Sequence, residues 1–399
     1  MAKPFVSTAY RAMRVAIVTH NVIRGDGQGR VNFEIASSLI EHGHEVVLIA
    51  DQVCDSLLER GVKWIPVHPI ARQVTLFKVL EFAMRANRVL DDVHGDVDLV
   101  VANGVVCTKS HDVNIVHFVH STWLDSPFRP YRNSLSINGI YQYIYTYINS
   151  VLERVVFGRT EKLVGVSHLI ADELQSLHVS RDKISVIQNG VDLDEFAPGI
   201  GDRASLGLPS DVPLALFAGD IRSSRKNLDT VLRALQEVPG WHLAVAGSTE
   251  SSPFPRLAQE LRVADRVHFL GFRDDIPRLM RASDVFVFPS RYEPFALVVL
   301  EALASGMPVI TASTVGAAEI LQGKNTDSIV MQDPEDKDEL VRALSSITRS
   351  TDSKPSSAER SIAEEYGWEN MAGSYVQMFE AMRKSAKTCR DLSSASLPA

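Results

Sequence analysis

The hydrophobic positions of this chain follow two alternating patterns. From Arg14 onward, short apolar runs rich in Val, Ile and Ala alternate with stretches whose apolar residues recur at helical spacing. The short runs predict β-strands and the longer stretches predict amphipathic helices, so their alternation favours βαβ units with parallel sheets. The strands predicted in the first half are Val15–Thr19, Glu45–Ala50, Asp98–Asn103, Asn114–Val119 and the runs LVGVS and KISVI.

The same pattern restarts at LALFAGD, after a stretch from 198 to 213 that is rich in Gly, Pro, Ser and Asp. We therefore predict two doubly wound, Rossmann-like α/β domains that face each other across a cleft, with ligand sites at the carboxyl ends of the strands. The predicted divisions are an N-terminal domain at 1–200, a C-terminal domain at 201–366, a helix at 367–387 and a flexible tail at 388–399. The strands predicted in the second half are LALFAGD, Leu243–Ala246, Val267–Phe269, Val285–Phe288 and Val309–Thr311.

Composition narrows the class of protein. The 399 residues include 41 Lys and Arg and 49 Asp and Glu, a formal net charge of −8, which disfavours a nucleic-acid partner. The widely spaced Cys54, Cys107 and Cys389 form neither a metal motif nor a disulfide framework. We expect a cytoplasmic protein without a signal peptide or a membrane span.

A glycine-rich loop, Gly25–Arg30, separates the first predicted strand from the first helix. Glycines there let backbone N–H groups and a helix N-terminus approach a phosphate or a sugar. The loop lacks the GxGxxG spacing, although Asp51 occupies the place of an acidic ribose ligand. A plain tight turn, a ligand loop and NAD binding all stay open at this point.

Two histidines, His117 and His120, follow a predicted strand at the edge where the cleft should open. An imidazole there can hydrogen-bond a substrate, but it can equally be a satisfied structural group. Two histidines without a third ligand do not make a metal site.

Three cations, Arg222, Arg225 and Lys226, follow the first strand of the second half. Cations at the carboxyl end of a strand, just before a helix, suit a diphosphate. The alternative is a solvated surface cluster.

Two glutamates, Glu293 and Glu301, bracket an almost wholly apolar run. Pro294 suits the first position of a helix, which predicts that Glu293 lies at a helix N-terminus. Eight helical residues rise about 12 Å, which is comparable with the length of a sugar plus a diphosphate. Free N–H groups at Phe295–Leu297 would favour an anion between the carboxylates. The run has the outline of a nucleotide-sugar site, although a glutamate at a helix N-terminus can also be a plain cap.

The stretch EPFALVVLEALASGMPVI resembles the E-x7-E signature of the retaining GT-B glycosyltransferases, specifically glycosyltransferase family 4. The likeness covers nearly the whole chain and includes the glycine loop, NGVDLDEF, the RK pair after FAGD, VHFLGFRDDIPRLMRASDVFVFPS and YGWENMAGSYVQMF. It implies transfer of a sugar from a UDP- or GDP-linked donor to a glycan, lipid-linked or small-molecule acceptor, in polysaccharide or glycoconjugate biosynthesis. The nucleotide-sugar is a co-substrate, so no cofactor is implied.

The resemblance also implies roles for individual residues. His120, Lys226 and Glu293 would be catalytic, with His120 touching the transferred sugar and Glu293 near the reacting centre. Glu301 would bind the ribose. The terminal helix would cross back onto the first domain. The implied donor-binding residues are Gly27, Arg222, Lys226, Phe272, Arg273, Glu293, Phe295, Ala296, Leu297 and Glu301.

Two positions depart from the family pattern. Asp26–Gly27 stands where many members have Gly-Gly, which leaves the role of the first loop open. Asp220 stands where many members have arginine, and Arg222 is the nearest substitute.

The implied chemistry is departure of a nucleoside diphosphate, whose charge cations and helix N–H groups stabilise. Front-face attack is the family mechanism, and a covalent double displacement is the rival. Three Asp-x-Asp motifs, at 96–98, 192–194 and 336–338, lie in turn-like contexts. We expect the reaction to need no metal.

Aromatic and cationic residues are interleaved from 126 to 162, a composition that suits a bilayer interface or a lipid-linked acceptor. The stretch 74–90 is a second amphipathic candidate. Peripheral contact with the inner face of a membrane is one interpretation, and a helix packed on the first domain with a solvated basic face is the other. The residues concerned are Phe128, Tyr131, Tyr141, Tyr143, Tyr145, Tyr147 and Phe157, with Arg129, Arg132, Arg154, Arg159 and Lys162.

Two further function classes stay open. A GT-B nucleotide-sugar epimerase would use similar domains without an acceptor, but the RK pair together with E-x7-E disfavours it. A non-catalytic scaffold that binds nucleotide-sugars would not need both His120 and Glu293.

Overall fold

The chain folds into two parallel sheets packed against helices. A computed structural model describes residues 12–70, 74–129, 137–347 and 357–395, with side chains as far as residue 385. The first half contains β1 (Arg14–Val22), α1 (Gly27–Glu41), β2 (Glu45–Val53), α2 (Asp55–Leu58), β3 (Lys63–Pro66), α3 (Thr75–Val93), β4 (Leu99–Asn103), β5 (His111–Val116), α4 (His120–Asp125), α5 (Ile137–Arg159), β6 (Thr160–Gly165), α6 (His168–Ser176) and β7 (Ile184–Val186).

The second half repeats the arrangement and ends in three helices. It contains β8 (Leu214–Ala218), α7 (Leu228–Leu235), β9 (His242–Ala246), α8 (Phe254–Glu260), β10 (Val267–Gly271), α9 (Ile276–Ala282), β11 (Val285–Phe288), α10 (Leu297–Ala304), β12 (Val309–Ala312), β13 (Ile329–Met331), α11 (Lys337–Ser346), α12 (Ser357–Glu364) and α13 (Trp368–Ala395).

The first sheet has the strand order β3-β2-β1-β4-β5-β6-β7, and the second has the order β10-β9-β8-β11-β12-β13. In each sheet the chain order reverses beside the central strand, β1 or β8, and such a reversal opens a crevice at the carboxyl ends of the strands. The two crevices are the natural place for a ligand held by both domains.

The period-two pattern of the strands fills a core on each face of the first sheet. Val15 and Ile17 of β1 pack into the larger core, whereas Ala16 and Val18 pack into a second, smaller core. Burial on both faces explains why these strands read as continuous apolar runs rather than as alternating ones.

Two strands lie outside the predicted set. β3 and β13 are edge strands of four and three residues, and Met331 is their only fully buried side chain, so neither carries an apolar run long enough to recognise. The predicted strand Asn114–Val119 begins earlier, at His111, and ends at Val116. His117 and His120 therefore both follow the strand.

The last helix returns to the first domain. The N–H of Trp368 donates to the carbonyl of Val191 at 3.2 Å, and α13 packs along α1. Farther along, Arg383 pairs with Asp98 at 2.9 Å. The helix continues to Ala395, past residue 388 where the sequence predicts a tail, and residues 396–399 lie outside the described part.

Candidate active site

The contacts between the two domains include three close to the E-x7-E segment. The Ser167 hydroxyl donates to the Pro294 carbonyl at 2.6 Å. The Tyr292 hydroxyl donates to the Glu173 carboxyl group at 3.0 Å. A Cβ added to Gly27 would lie 3.4 Å from Leu297, so Gly27, which is the first residue of α1 rather than part of a loop, abuts the start of α10. The start of α1, the cations and the E-x7-E segment are thus neighbours across the junction of the domains.

Glu293 lies farther from the start of α10 than the sequence predicts. Its N–H donates to the Thr314 carbonyl at 3.1 Å, and its carbonyl accepts from the Gly316 N–H at 2.9 Å. These bonds hold the segment extended, so the helix begins only at Leu297 and the prediction that Pro294 opens it is wrong. The rise of about 12 Å that assumed eight helical residues does not apply to this pair of glutamates.

The start of α10 is an anion-favouring turn. Ala296, the residue before the helix, has φ of +78°, in the left-handed region that favours glycine. The N–H of Val299 donates to the Ala296 carbonyl at 3.1 Å. The N–H groups of Leu297 and Val298 lie in the first turn, where a helix offers them no internal acceptor. Donors there favour a negatively charged ligand.

Two cations converge on the Glu293 carboxylate. Lys226 Nζ bonds its Oε1 atom, and Arg225 lies 2.7 Å from the same oxygen. Burial lowers the pKa of Lys226, and the charge of Glu293 opposes that effect. Lys226 Nζ also lies 5.1 Å from the centroid of the Phe288 ring. The site therefore holds one carboxylate and two partly desolvated cations.

The cationic loop is fixed by residues that the sequence did not single out. Asn227 adopts φ of +63°, and its side-chain amide donates to the carbonyls of Pro289 and Pro334 at 2.9 and 2.6 Å. The Arg291 guanidinium makes a bidentate pair with Asp229 at 2.8 and 2.9 Å. Neither residue has a distinctive spacing, and only the tertiary structure reveals these roles.

The structure brings Arg225, rather than Arg222, to Glu293. Arg222 is exposed, and its guanidinium donates two hydrogen bonds to the Asp220 carboxylate, at 2.8 and 2.9 Å. Asp220, which stands where many family members have arginine, therefore pairs with Arg222, the residue that was expected to replace that arginine. A pairing two residues apart keeps Arg222 at the surface.

The two histidines have different environments. His117 Nε2 lies 3.2 Å from the Asn103 amide oxygen, and burial lowers the pKa of His117 to about 4, so its ring is a neutral structural group. His120 is the first residue of α4, and its Nδ1 lies 2.7 Å from the Glu153 carboxylate on α5. Its ring also contacts Phe118 edge-on, with centroids 4.8 Å apart.

Glu301 carries no ion pair among the described residues. Burial raises its pKa to about 7, the charge of Glu195 adds to the effect, and Arg30 opposes it. Arg30 itself pairs with Asp192 at 3.0 Å. A carboxylate left unpaired in this way is suited to accept hydrogen bonds from ligand hydroxyls.

Phe272 and Arg273 follow β10 at the carboxyl edge of the second sheet. The Phe272 side chain is 83% exposed, and Arg273 pairs with Asp275 at 2.7 Å. An exposed ring next to a sheet edge offers a flat face to a base, and that role for Phe272 stays a prediction.

The glycine loop has a local explanation for its aspartate. The Asp26 side chain caps α1 by accepting from the Gly29 N–H at 3.0 Å, so its charge faces the positive end of that helix. Asp51 pairs with His68 at 2.9 Å and is also 3.6 Å from Lys78. The helix cap explains Asp26 and the ion pairs explain Asp51, so neither residue requires a bound dinucleotide.

The three Asp-x-Asp motifs have structural partners. Asp98 pairs with Arg383, Asp192 pairs with Arg30, and Asp336 caps α11. Within the described residues, no group of three or more His, Cys, Asp or Glu side chains could hold a metal ion.

Two protein-family models match this chain, one in each half. Residues 25–195 match the model of Glycosyltransferase Family 4, and residues 201–364 match the model of Glycosyl transferases group 1.

Two curated relatives are similar over different lengths. The D-inositol 3-phosphate glycosyltransferase of Mycolicibacterium smegmatis is 33% identical over 55% of this chain and 53% of that protein. The chain thus spans about half the length of this relative. An uncharacterized glycosyltransferase of Methanocaldococcus jannaschii is 26% identical over 87% of this chain and 92% of that protein.

Solved structures share the whole architecture. Sucrose-phosphate synthase from Thermosynechococcus elongatus superposes with a TM-score of 0.75 at 18% identity, covering 94% of this chain and 100% of that one. Anabaena HepE in complex with UDP-glucose gives 0.69 at 18% identity, covering 92% and 100%. These matches confirm the predicted GT-B fold of two Rossmann-like domains.

Proposed function

We propose that this chain, whose two halves each match a glycosyltransferase family model, is a GT-B glycosyltransferase that transfers a sugar from a nucleoside diphosphate donor with retention of configuration. One observation carries the proposal. Glu293 is held by Lys226 and Arg225 beside the first-turn N–H groups of α10, at the junction of the domains. Cations and N–H groups would take the diphosphate, and the carboxylate would take sugar hydroxyls.

The chemistry follows from where charge develops. In the proposed front-face reaction, the bond from the anomeric carbon to the diphosphate oxygen breaks as the bond to the acceptor oxygen forms on the same face. The acceptor proton passes to the departing phosphate oxygen. Lys226, Arg225 and the α10 N–H groups stabilise the negative charge of the leaving group, which is the work a metal ion would otherwise do.

The donor is proposed to be a UDP- or GDP-linked sugar. Glu301 would accept hydrogen bonds from the ribose, and Phe272 would lie against the base. The complex of Anabaena HepE with UDP-glucose supports a nucleotide-sugar in this fold. The acceptor is proposed to be a glycan, a lipid-linked sugar or a small molecule.

A lipid surface is proposed as a peripheral partner because α5 buries several polar residues and exposes many apolar ones. Its inward face combines four polar residues with the apolar Val156 and Phe157, so Phe157, which the sequence grouped with the interface aromatics, is buried instead. The buried polar residues are Thr146, Asn149, Ser150 and Glu153, and the exposed apolar residues are Ile137, Ile140, Tyr143, Ile144, Tyr147, Val151 and Val155. We call the exposed set the α5 apolar face.

Neighbouring residues extend the α5 apolar face. Phe77 and Met84 of α3 are each 58% exposed, and the Leu76 N–H donates to the Tyr141 hydroxyl at 3.1 Å, which joins α3 to α5. Arg154 lies on the same helix, and cations beside apolar groups suit a bilayer with anionic lipids. Tyr131 and Arg132 lie outside the described residues. No described helix is long and apolar enough to cross a bilayer.

Calorimetric binding of UDP-, GDP- and ADP-sugars tests the donor claim. We expect at least one to bind, with an affinity that EDTA leaves unchanged. With an acceptor in hand, NMR of the product should show the anomeric configuration of the donor. Failure of every nucleotide-sugar to bind would exclude the proposed function, and an inverted product would exclude only retention.

A further inference from the structure

Glu153 is a buried carboxylate that hydrogen-bonds the first two residues of α4, His120 and Ser121. It lies on the inner face of α5 and is almost wholly buried. Its Oε1 accepts from the His120 backbone N–H at 2.7 Å and lies 2.7 Å from His120 Nδ1. Its Oε2 accepts from the Ser121 N–H at 3.0 Å and from the Ser121 hydroxyl at 3.2 Å. Both oxygens are therefore occupied by donors.

These contacts determine which ring nitrogen of His120 carries hydrogen. Each Glu153 oxygen accepts from a backbone N–H, which can only donate, and an ionised carboxylate accepts these bonds better than a protonated carboxyl group would. The geometry therefore favours Glu153 as the acceptor and His120 Nδ1 as the donor. In the neutral ring, Nε2 is then left as the hydrogen-bond acceptor.

The other contacts of the ring do not distinguish its two orientations. Phe118 and Tyr145 approach it with centroids 4.8 and 5.7 Å away, and a ring flipped about its axis would keep such edge contacts. The remaining buried polar side chains of α5 bond carbonyls of their own helix. Glu153 is the buried polar side chain of α5 that crosses to α4.

We propose that Glu153 is a positioning residue for sugar transfer, which fixes the orientation and tautomer of His120 so that Nε2 accepts a hydrogen bond from a hydroxyl of the sugar. The proposal rests on the proposed function, in which His120 touches the transferred sugar. Glu153 itself is too deeply buried to reach a substrate.

The tautomer can be measured directly in the unmodified protein. Nitrogen-15 NMR should show His120 with hydrogen on Nδ1 in the neutral ring. Hydrogen on Nε2 instead would overturn the proposal without any variant. This result does not depend on whether a donor is turned over, so it is separable from failure of the proposed function.

The variant Glu153→Gln tests the consequence for transfer. The amide nitrogen of glutamine is a donor, and at either oxygen position it would face a backbone N–H that also donates. We therefore expect a mixture of His120 tautomers and a kcat lowered about tenfold to a hundredfold. The matched control is Glu161→Gln, an exposed glutamate of β6, which should keep one tautomer and at least half of the rate.

A double-mutant cycle separates positioning from plain stability. If Glu153 acts through His120, Glu153→Gln should lower kcat no further in a His120→Ala background. Equal losses in both backgrounds, or a rate that falls only with the folded fraction in thermal unfolding, would overturn the proposal.

Discussion

The charge of Glu293 is balanced by two cations before any donor binds. Lys226 and Arg225 share one of its oxygens, and the glutamate is nearly buried. A diphosphate that enters the site would compete for both cations, which would release the carboxylate toward sugar hydroxyls. The resting ion pairs therefore keep buried charges paired until the ligand replaces them.

Arg225 and Arg222 form a matched pair of test positions. We expect Arg225→Ala to weaken donor binding about tenfold to a hundredfold, since one charge-assisted contact to the diphosphate is lost. Arg222→Ala should change the Kd less than threefold, because Arg222 pairs with Asp220 at the surface. Calorimetry with the best donor decides between them, and the reverse order of effects would contradict the assignment.

The raised pKa of Glu301 makes donor binding dependent on pH. The ionised group is the better acceptor for ribose hydroxyls, so affinity should rise as pH increases through about 7. The stability of the folded protein without donor should change with pH in the opposite direction. Glu301 binds its proton more tightly in the folded state than in the unfolded chain, so its contribution to stability falls as pH rises from 4.5 to about 7.

Glu301→Gln should therefore stabilise the protein and weaken binding. Above pH 7 we expect the free energy of unfolding to rise by about 1–3 kcal/mol, less than the full shift implies because the side chain keeps some exposure. Donor affinity should fall and lose its pH dependence. The control is Glu195→Gln, which removes a charge that raises the pKa of Glu301. In this variant donor affinity should still depend on pH, with a midpoint at lower pH. A pH profile of binding unchanged in Glu301→Gln would refute the role of Glu301.

The start of α10 stores backbone strain beside the candidate site. Ala296 occupies a left-handed conformation, which costs a residue with a Cβ about 1–2 kcal/mol. That conformation turns the chain from the extended Glu293 segment into the helix, so that the first-turn N–H groups follow directly on the carboxylate. Strain at such a position is consistent with a functional constraint on the turn.

Ala296→Gly should relieve this strain. We expect a gain of about 0.5–1 kcal/mol in the free energy of unfolding, because glycine adopts the turn freely but loses more entropy on folding. Ala302→Gly, within α10, should instead lower the free energy of unfolding by about 1 kcal/mol. Urea unfolding measures both, and a destabilised Ala296→Gly protein would argue against strain.

The α5 apolar face makes a prediction about lipid. Ile144→Glu should lower binding to vesicles that contain anionic phospholipid at least tenfold at low salt, since an apolar contact of about 1.5–3 kcal/mol is replaced by a charge. Ile200→Glu changes an equally apolar, 88% exposed residue in the linker and should have little effect. Unmodified protein that fails to sediment with the vesicles would dismiss the membrane partner.

The local pattern of apolar residues predicted the central strands, but it did not predict features that depend on contacts between distant segments. β1, β8 and β11 are buried on both faces and therefore have apolar runs that identify them. The helix expected at Pro294 starts later because Glu293 pairs with residues of a different segment. Local sequence contains no information about that pairing.

At the level of the whole molecule, two domains share one site through a few polar contacts. Glu319 accepts from the His168 N–H at 2.8 Å and from the Gln188 amide at 2.9 Å, and α13 packs on α1 of the first domain. The family resemblance supplied the candidate residues on both domains. It included Arg225 in the RK pair but did not predict its contact with Glu293, the pairing of Arg291 with Asp229 or the contact of Glu153 with His120, since each depends on tertiary structure.

Release of nucleoside diphosphate from UDP-, GDP- and ADP-sugars, with water or sugar acceptors, tests the central claim most directly. We expect the unmodified protein to turn over at least one donor, and Glu293→Gln to lower that rate about a hundredfold or more while the fold survives. Glu260→Gln, at an exposed ion pair on α8, should keep its rate within twofold. No release from any donor, or an undiminished rate in Glu293→Gln, would contradict the account.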